Sequence, residues 1–411
     1  MSQSASALLA RIEELSSSIV RQQQVLRDLE NQRSAVRGHL NSIRDPMARL
    51  PFEISSDIFM QCLPDTPQPH PRFAPMLLLN ICKSWSSIAL ATPSLWTIIH
   101  GESQSAKFAE LLEAWMSRAR NLPFSISLPA FIPRAVRDVV KRHAGQVQNL
   151  ELHIEDDEEL QKMVAPFGSL KKMTVIGIDP TEDHVQGFPY GDSCLELLRA
   201  APGLVECDLL NMHFTAGHSS AMAPLTHSHL QHLRLAMNLH LDEFDFAPGI
   251  LQYLTLPALQ TLSISDSDVN GIGFPSFLTR SSPPLRSLKI LITRGDVDAS
   301  WFQLTPELTD LDLFCSSYPA FLDKLTCAEN YLPVLRNLTI RTNRPLSESS
   351  LQDLVAMLTA RNASHHPFQE FRLTLPHWKA QAPDDEIILA LRRLVEDGMH
   401  IHIGHGEHNY I

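Results

Sequence analysis

Residues 285–290 read LRSLKI, and a hexapeptide of the same form, L-x-x-L-x-L, recurs eight more times between residues 147 and 373. The nine copies begin at residues 147, 170, 204, 230, 259, 285, 308, 335 and 368, so successive copies start 23 to 34 residues apart. All three marked positions are apolar in every copy, whereas only 44% of the chain is hydrophobic. Apolar side chains at alternate positions predict a short strand with one buried face. The repetition therefore predicts a series of equivalent strands.

The gaps between copies leave room for helices. Residues 194–203 (CLELLRAAPG) and 350–361 (SLQDLVAMLTAR) predict helices that end at Gly203 and near Asn362. Strand plus helix at this period resembles a leucine-rich-repeat solenoid with a parallel sheet, in which stacked units supply the core together because one unit cannot bury its own apolar face.

These repeats are irregular. The asparagine expected at the turn of each leucine-rich repeat occurs at only two of nine places, Asn238 and Asn343. A conventional α/β layer structure therefore stays open as the alternative. The C-terminal residues 399–411 add a predicted final strand that contains Met399, Ile401 and Ile403.

In a parallel sheet, side chains next to the core positions face outward. The residue between the last two apolar positions is polar in every copy: Glu151, Thr174, Asp208, Arg234, Ser263, Lys289, Asp312, Thr339 and Arg372. The next outward position holds four large apolar residues: Ile176, Leu210, Leu291 and Phe314. Such residues are either covered by a loop or form a protein-binding patch. On the second interpretation, the residues predicted to bind a partner protein are Ile176, Leu210, Arg234, Leu291, Phe314 and Arg341, with Phe314 as the best anchor.

Residues 5–43 follow a heptad pattern. The a positions are Ala5, Ile12, Ile19, Leu26, Arg33 and Leu40, and the d positions are Leu8, Leu15, Gln22, Leu29, Val36 and Ile43. Ten of these twelve are apolar, and a period of about 3.5 residues keeps such a stripe facing one partner helix. Asp45-Pro46 ends the helix, because proline lacks an amide hydrogen and restricts the residue before it.

Two interpretations of the heptad helix stay open. It forms a coiled coil with another copy or another protein, or it folds back on its own chain as an amphipathic helix. The e and g positions carry few charges, as at Ser16, Ser18, Gln23 and Val25, so they specify neither partner nor orientation. Coiled-coil self-association is a hypothesis at this point.

Residues 50–63 (LPFEISSDIFMQCL) predict a helix with an apolar stripe, and residues 76–89 predict a second helix that is apolar on several sides. A module of about fifty residues cannot cover so much apolar surface alone. The surplus predicts docking, either onto the rest of the chain or into a partner's groove. Between the two helices, the proline-rich segment from Pro64 to Pro75 is expected to loop out in an extended conformation.

These residues resemble the F-box. The resemblance covers about fifty residues and rests on Leu50-Pro51-x-Glu53-Ile54, Ile58-Phe59, Leu63, Leu78, Ile81-Cys82-Lys83-x-Trp85, Ile88-Ala89 and Pro93-x-Leu95-Trp96. The closing Thr-Pro-Ser-Leu-Trp, followed by the short strand TIIH, is similar to the F-box proteins expanded in mushroom-forming fungi. The resemblance implies that the helices insert apolar side chains into a Skp-type adaptor, which carries the cullin–RING ubiquitin ligase. It implies these adaptor-binding residues: Leu50, Pro51, Ile54, Ile58, Phe59, Leu78, Ile81, Cys82 and Trp85. The long Pro64–Pro75 segment departs from the family, where many F-boxes have a short turn.

Catalytic and metal-binding patterns are weak. His400, His402, His405 and His408 form the most metal-like group, but no cysteine is near them, so a solvated terminal strand is the preferred interpretation. The acidic run 155–159 suits the start of a helix, where carboxylates meet the positive end of the helix dipole. The sequence has no G-x-S-x-G, P-loop or H-E-x-x-H motif. We therefore predict neither a cofactor nor a metal site nor catalysis.

Composition limits the partners. The formal net charge is −12 without a lysine or arginine cluster, which argues against nucleic acid. No apolar run approaches the roughly 18 residues of a membrane helix, and the N-terminus lacks the pattern of a secretory signal. Six cysteines without C-x-x-C spacing favour reduced thiols in the cytoplasm or nucleus.

The sequence thus predicts an α/β interaction protein in four parts: a heptad helix (1–45), an all-α F-box (46–97), a linking strand and helix region (98–146) and an irregular leucine-rich-repeat-like domain (147–411). The resemblance implies the substrate receptor of an SCF-type ubiquitin ligase, which binds the adaptor through the F-box and a client protein through the leucine-rich domain. The alternative is an F-box scaffold that acts outside ubiquitination. An enzyme with an unrecognised site in the repeated region is a third hypothesis.

Overall fold

The computed structural model of the chain describes residues 2–101, 107–178, 192–212, 223–236, 250–265, 273–292, 300–315, 318–327, 331–342, 348–363, 367–375, 384–405 and 408–411. The chain is mixed α/β and forms two compact units. One contains residues 1–100 with 114–122, and the other contains residues 101–113 with 123–411.

The helices and strands of residues 1–100 are α1 (Ser2–Arg44), α2 (Phe52–Gln61), α3 (Leu78–Ile81), α4 (Lys83–Ala91) and β1 (Ile98–His100). The rest of the chain contains α5 (Lys107–Ala119), β2 (Phe124–Leu128), α6 (Arg134–Arg142), β3 (Val147–Ile154), α7 (Asp157–Met163), β4 (Lys172–Gly177), α8 (Asp192–Ala200), β5 (Glu206–Leu210), β6 (Leu225–Thr226), β7 (His232–Ala236), β8 (Leu254–Thr255), β9 (Thr261–Ser265), α9 (Gly273–Ser281), β10 (Ser287–Leu291), β11 (Asp310–Phe314), α10 (Pro319–Cys327), β12 (Asn337–Arg341), α11 (Glu348–Asn362), β13 (Glu370–Thr374), α12 (Asp385–Glu396), β14 (His400–His405) and β15 (His408–Asn409).

Helix α1 spans 43 residues and includes the whole heptad pattern. Between Leu9 and Leu40 every residue is exposed except Ser18 and Gly38, which are half-buried. The apolar heptad residues in this range are 46 to 69% exposed. The interpretation that the stripe folds back on its own chain is therefore wrong for the described residues.

The Asp45 carboxylate connects the end of α1 to the rest of the first unit. Its Oδ1 atom accepts the Met47 backbone N–H (2.9 Å) and the Trp85 indole N–H (3.0 Å), and the Cys82 thiol donates to Oδ2 at 3.6 Å. The Trp85 ring also contacts the ring of buried Phe59, with centroids 5.1 Å apart. Through these hydrogen bonds Asp45, the residue after α1, contacts the start of α4.

The second predicted helix, over residues 76–89, is wrong as a single element. It is divided into α3 and α4 by Cys82, whose backbone is fully extended (φ −160°, ψ 169°). The break is consistent with the hydrogen bonds to Asp45. These bonds hold the Cys82 and Trp85 side chains against a residue 37 to 40 positions earlier in the chain.

The Pro64–Pro75 segment packs on the first unit, contrary to the expectation that it loops out. Pro67, Ala74 and Pro75 are buried, and the Pro67 carbonyl accepts the His100 N–H at 2.8 Å. Residues 71–77 form consecutive turns that lead into α3.

Strands β2 to β5, β7 and β9 to β14 of the second unit form one parallel sheet, in the order β2-β3-β4-β5-β7-β9-β10-β11-β12-β13-β14. All nine hexapeptide copies supply one strand each and pair at the same register. The fourth position of each copy, such as Leu288, faces the fourth position of its neighbours, Leu262 and Leu311. A separate two-stranded sheet contains β6 and β8.

A repeated backbone contact precedes these strands. In seven successive steps, from the copy at 170 to the copy at 368, the second carbonyl of one copy accepts two N–H groups from the next copy, at 2.8 to 3.2 Å. For example, the Gln260 carbonyl accepts the N–H groups of Arg286 and Ser287. This contact fixes every copy at the same register.

The predicted core positions are buried, as the alternation requires. Of the twenty-seven apolar positions, all but Leu235 are buried, and Leu235 is half-buried. The predicted helices at 194–203 and 350–361 are present as α8 and α11, and α10, α11 and α12 pack on one another in chain order. The two turn asparagines, Asn238 and Asn343, lie outside the described residues.

The sheet extends beyond the nine copies. Strand β2 pairs with β3 and buries Phe124, Ile126 and Leu128, although the hexapeptide pattern did not identify it. The predicted C-terminal strand is β14, with Ile401 and Ile403 buried. Strand β15 then turns back antiparallel to β14.

The Asp45 contacts generate a stability prediction. We expect Asp45→Ala to lower the free energy of unfolding by about 1–3 kcal/mol, because the partly buried Trp85 indole N–H loses its acceptor. Urea unfolding of the full chain, followed by tryptophan fluorescence, measures this change. Asp65→Ala, at an exposed position of the same unit, is the matched control. Equal unfolding midpoints for the two variants would show that the Asp45 contacts contribute nothing to stability.

Candidate interaction surfaces

The first candidate surface lies on α2 and the residues before it. Ile54 and Ile58 are four residues apart on one face of α2 and are 48% and 39% exposed. The neighbouring face carries Ser55 and Phe59, which are both fully buried. One face of α2 therefore packs in the core of the unit, while an adjacent apolar face meets solvent.

Other large apolar side chains of the first unit are exposed as well. Leu50 (39%) and Ile81 (46%) belong to the predicted adaptor-binding set, and Pro51 is also exposed. Phe52, Phe73, Leu77 and Leu90 are 40 to 49% exposed and were not predicted. Leu77 could have been identified, since it lies four residues before Ile81. We call Leu50, Phe52, Ile54, Ile58, Phe73, Leu77, Ile81 and Leu90 the exposed apolar set.

Four predicted adaptor-binding residues occupy other positions. Phe59 and Leu78 are 0% and 2% exposed, so they are core residues of the unit and do not belong to its exposed surface. Cys82 and Trp85 are half-buried, and their polar atoms are held by Asp45.

The rest of the first unit's core is filled. Leu95 and Trp96, in a short 3-10 helix at Pro93–Trp96, are buried, and the Trp96 indole donates to the Ala89 carbonyl at 2.9 Å. The Trp115 ring contacts Trp96 edge-on with centroids 5.0 Å apart, and the Arg118 guanidinium lies 4.4 Å from the Trp96 ring centre. The exposed apolar set is therefore additional to a buried core that contains two tryptophans.

The second candidate surface is the face of the parallel sheet that carries the outward residues. Its four large apolar residues form two separate pairs. Ile176 faces Leu210 across β4 and β5, and Leu291 faces Phe314 across β10 and β11. All four are half-buried. Exposed Arg234, on β7, lies on a strand between the two pairs. Residues 179–191, 213–222, 293–299 and 316–317, which follow these strands closely, lie outside the described residues.

The Leu291–Phe314 pair is bordered by a charge cluster around Asp312. The Arg341 guanidinium donates to both Asp312 carboxylate oxygens, from Nη2 at 2.7 and 2.8 Å and from Nε at 3.0 Å. Lys289 Nζ is 3.6 Å from the same carboxylate. Arg341 faces Phe314 in the register, so Asp312 holds a guanidinium beside the aromatic ring. Two donors in a fixed geometry make this the best-defined polar contact of the face.

A second charge cluster lies nearer the start of the strands that carry the Ile176–Leu210 pair. Lys172 and Glu206 form an ion pair at 2.5 Å between β4 and β5. Burial raises the pKa of the Asp208 carboxyl, and the nearby Glu206 carboxylate adds to this rise, while Lys172 and Arg234 oppose it. Each apolar pair therefore shares its strands with a cross-strand ion pair.

Groups that could do chemistry are dispersed or held. Among the described residues, no group of three or more His, Cys, Asp or Glu side chains is placed to hold a metal ion. His400 and His402 are on β14, while the His405 ring lies against the Leu375 carbonyl (3.3 Å) and the His408 ring against Tyr410. Within the acidic run, Asp156 caps α7 by accepting the Glu159 N–H at 2.7 Å, as predicted for a helix start.

The six cysteines, all at described positions, form no disulfide bond. Burial raises the pKa of the Cys194 and Cys207 thiols, so both stay protonated at neutral pH and are poor nucleophiles. None of the described helices combines the length and the apolar character needed to cross a membrane.

Comparison with known proteins adds no relative. No protein-family model matches the chain, and no curated protein matches it.

Proposed function

We propose that this protein is a substrate receptor of an SCF-type ubiquitin ligase. In this proposal residues 46–97 are an F-box that binds a Skp-type adaptor, and residues 147–411 are an irregular leucine-rich-repeat domain that binds a client protein. The chain itself contributes no chemistry. The observation that carries the proposal is the outward position of Leu50, Ile54, Ile58 and Ile81, which occupy motif positions of the resemblance and are 39 to 48% exposed.

Energetics support docking at this surface. Complete burial of one Leu or Ile side chain contributes about 1.5–3 kcal/mol, so the exposed fractions of these four residues offer on the order of 4 kcal/mol. That is about half of the binding free energy of a micromolar complex. The other members of the exposed apolar set add to this amount. Large apolar side chains that meet solvent beside a buried core are typical of a protein-binding site.

The sheet face supports the client part of the proposal. The Leu291–Phe314 pair offers an apolar anchor, and Arg341, Asp312 and Lys289 border it with charges. An aromatic residue surrounded by polar groups has the composition of an interface hot spot. A client held there would lie near the ubiquitin-charged enzyme, and the receptor would act by raising the local concentration of client lysines.

The adaptor contact is tested by Ile54→Asp. We expect this substitution to weaken binding of a purified Skp-type adaptor at least about tenfold, because a carboxylate replaces an apolar side chain that would be buried. Isothermal titration calorimetry with the full chain measures the dissociation constant.

Leu389→Asp is the matched control, since Leu389 is 54% exposed on α12 of the second unit. Phe59→Ala is expected to lower stability, because Phe59 is a core residue. No binding by the wild-type chain, or equal affinities for Ile54→Asp and Leu389→Asp, would contradict adaptor docking at α2. Recovery of the adaptor without cullin would favour the scaffold alternative.

The client surface is tested by Phe314→Ala. We expect proximity labelling by the full chain to lose a set of proteins with Phe314→Ala and to keep that set with Thr374→Ala. Thr374 is the matched control because it occupies the same outward position on β13 and is also half-buried. Quantitative mass spectrometry of the labelled proteins measures the change. Identical sets for both variants and the wild type would remove Phe314 as an anchor.

A further inference from the structure

Helix α1 has an apolar stripe that no described residue of the same chain covers. Ile12, Leu15, Ile19, Leu26 and Leu29 are 49 to 60% exposed, on a helix about 65 Å long. Helices of this length in a coiled coil touch over a strip about 10 Å wide. Two of them would therefore bury on the order of 1,300 Å² in total, which exceeds the roughly 1,000 Å² of a specific interface.

A second copy of α1 fits this stripe. Its e and g positions hold few charges that would reject an identical helix or select a different one. The a and d positions supply apolar layers along the whole length, interrupted only by Gln22 and Arg33. In a pair of identical helices, the residues that lie opposite these two interruptions depend on the orientation.

Arg33 distinguishes the two orientations. In a parallel pair, each a position meets its own copy, so Arg33 would face Arg33 in the core of the interface, with Gln32 as its g neighbour. Like charges placed directly opposite one another are destabilising. In an antiparallel pair centred on residue 24, a meets d, and Arg33 faces Leu15. The two Arg33 side chains are then about 27 Å apart along the axis.

Two of the remaining layers are fully apolar in the antiparallel arrangement, since Ile12 meets Val36 and Ile19 meets Leu29. Gln22 meets Leu26, so each polar interruption lies opposite a leucine. The apolar g residue Val25, 57% exposed, approaches its own copy at the centre of the pair. In a parallel pair, Val25 would face the carboxylate of Glu30 instead.

We propose that this protein forms a homodimer through an antiparallel coiled coil of α1, centred near residue 24. The proposal does not depend on adaptor binding. Because Asp45 fixes the C-terminal end of each α1 to its own first unit, the two α2 helices of the dimer start near opposite ends of the rod, on the order of 60 Å apart. A parallel pair would place them side by side.

Disulfide trapping tests the orientation in the full chain. The exposed Cys62 and Cys327 are first replaced by serine, and Leu15→Cys and Arg33→Cys are made separately in this background. We expect neither variant to crosslink with itself on oxidation, because a disulfide needs Cβ atoms about 4 Å apart. An equal mixture of the two is expected to give a disulfide-linked dimer. The background protein without either new cysteine is the control.

Charge exchange provides a second test. We expect Ile19→Lys or Leu29→Glu alone to raise the dimer dissociation constant at least about tenfold in sedimentation experiments. The double variant should recover affinity, because the antiparallel pair brings the new lysine of each copy opposite the new glutamate of the other. In a parallel pair each new charge would face itself and the double variant would be the weakest. Circular dichroism checks that the variants keep their helix.

Two results would overturn the proposal. Self-crosslinking of Leu15→Cys alone would show a parallel pair. A wild-type chain that sediments as a monomer, with no crosslink in the mixture, would show that α1 does not bind a second copy and that its stripe serves another protein.

Discussion

The second unit depends on a backbone contact that is repeated from strand to strand. In seven successive steps, the carbonyl at the second position of one hexapeptide accepts two N–H groups of the next copy. Because the contact recurs at the same place in the pattern, it fixes the register, and the register sends the fourth and sixth side chains of every copy to the buried face. A slip of one residue at any step would move those side chains to the outward face. The apolar core and the outward rows are two results of one contact.

The outward rows gain their character from the same alignment. Residues far apart in the sequence become direct neighbours, as when Leu291 meets Phe314 and Asp312 lies between Lys289 and Arg341. Cross-strand ion pairs join Lys172 to Glu206 and Asp312 to Lys289 and Arg341, and the half-buried apolar pairs lie on the same strands. The first unit shows the same division between a filled core and apolar side chains that meet solvent. These two features are the structural basis of the proposed function.

The sequence predicted the sheet well and the first unit less completely, for a physical reason. Alternation with a period of two has only two faces, so the hexapeptide identified the buried positions almost without error. A short helix that is apolar on several sides has no such clear division. Periodicity could not tell that Phe59 and Leu78 point inward while Ile54 and Ile81 point outward. The break at Cys82 accompanies a contact with Asp45, from a distant part of the chain, and local patterns carry no information about it. Strand β2 was missed because it has one residue fewer than the hexapeptide between its first two apolar positions, Phe124 and Ile126.

The hairpin at the C-terminal end of the sheet has a consequence for behaviour at high concentration. Strand β15 covers part of β14, and the Asn409 side chain accepts the Ile403 N–H and donates to the Ile401 carbonyl. Gly404 permits this close approach, since a Cβ atom there would collide with the His408 carbonyl. Unpaired strand edges are templates for uncontrolled growth by strand addition. The Asn409 amide occupies the Ile403 N–H and the Ile401 carbonyl, so these groups of β14 are not open to a strand from another molecule.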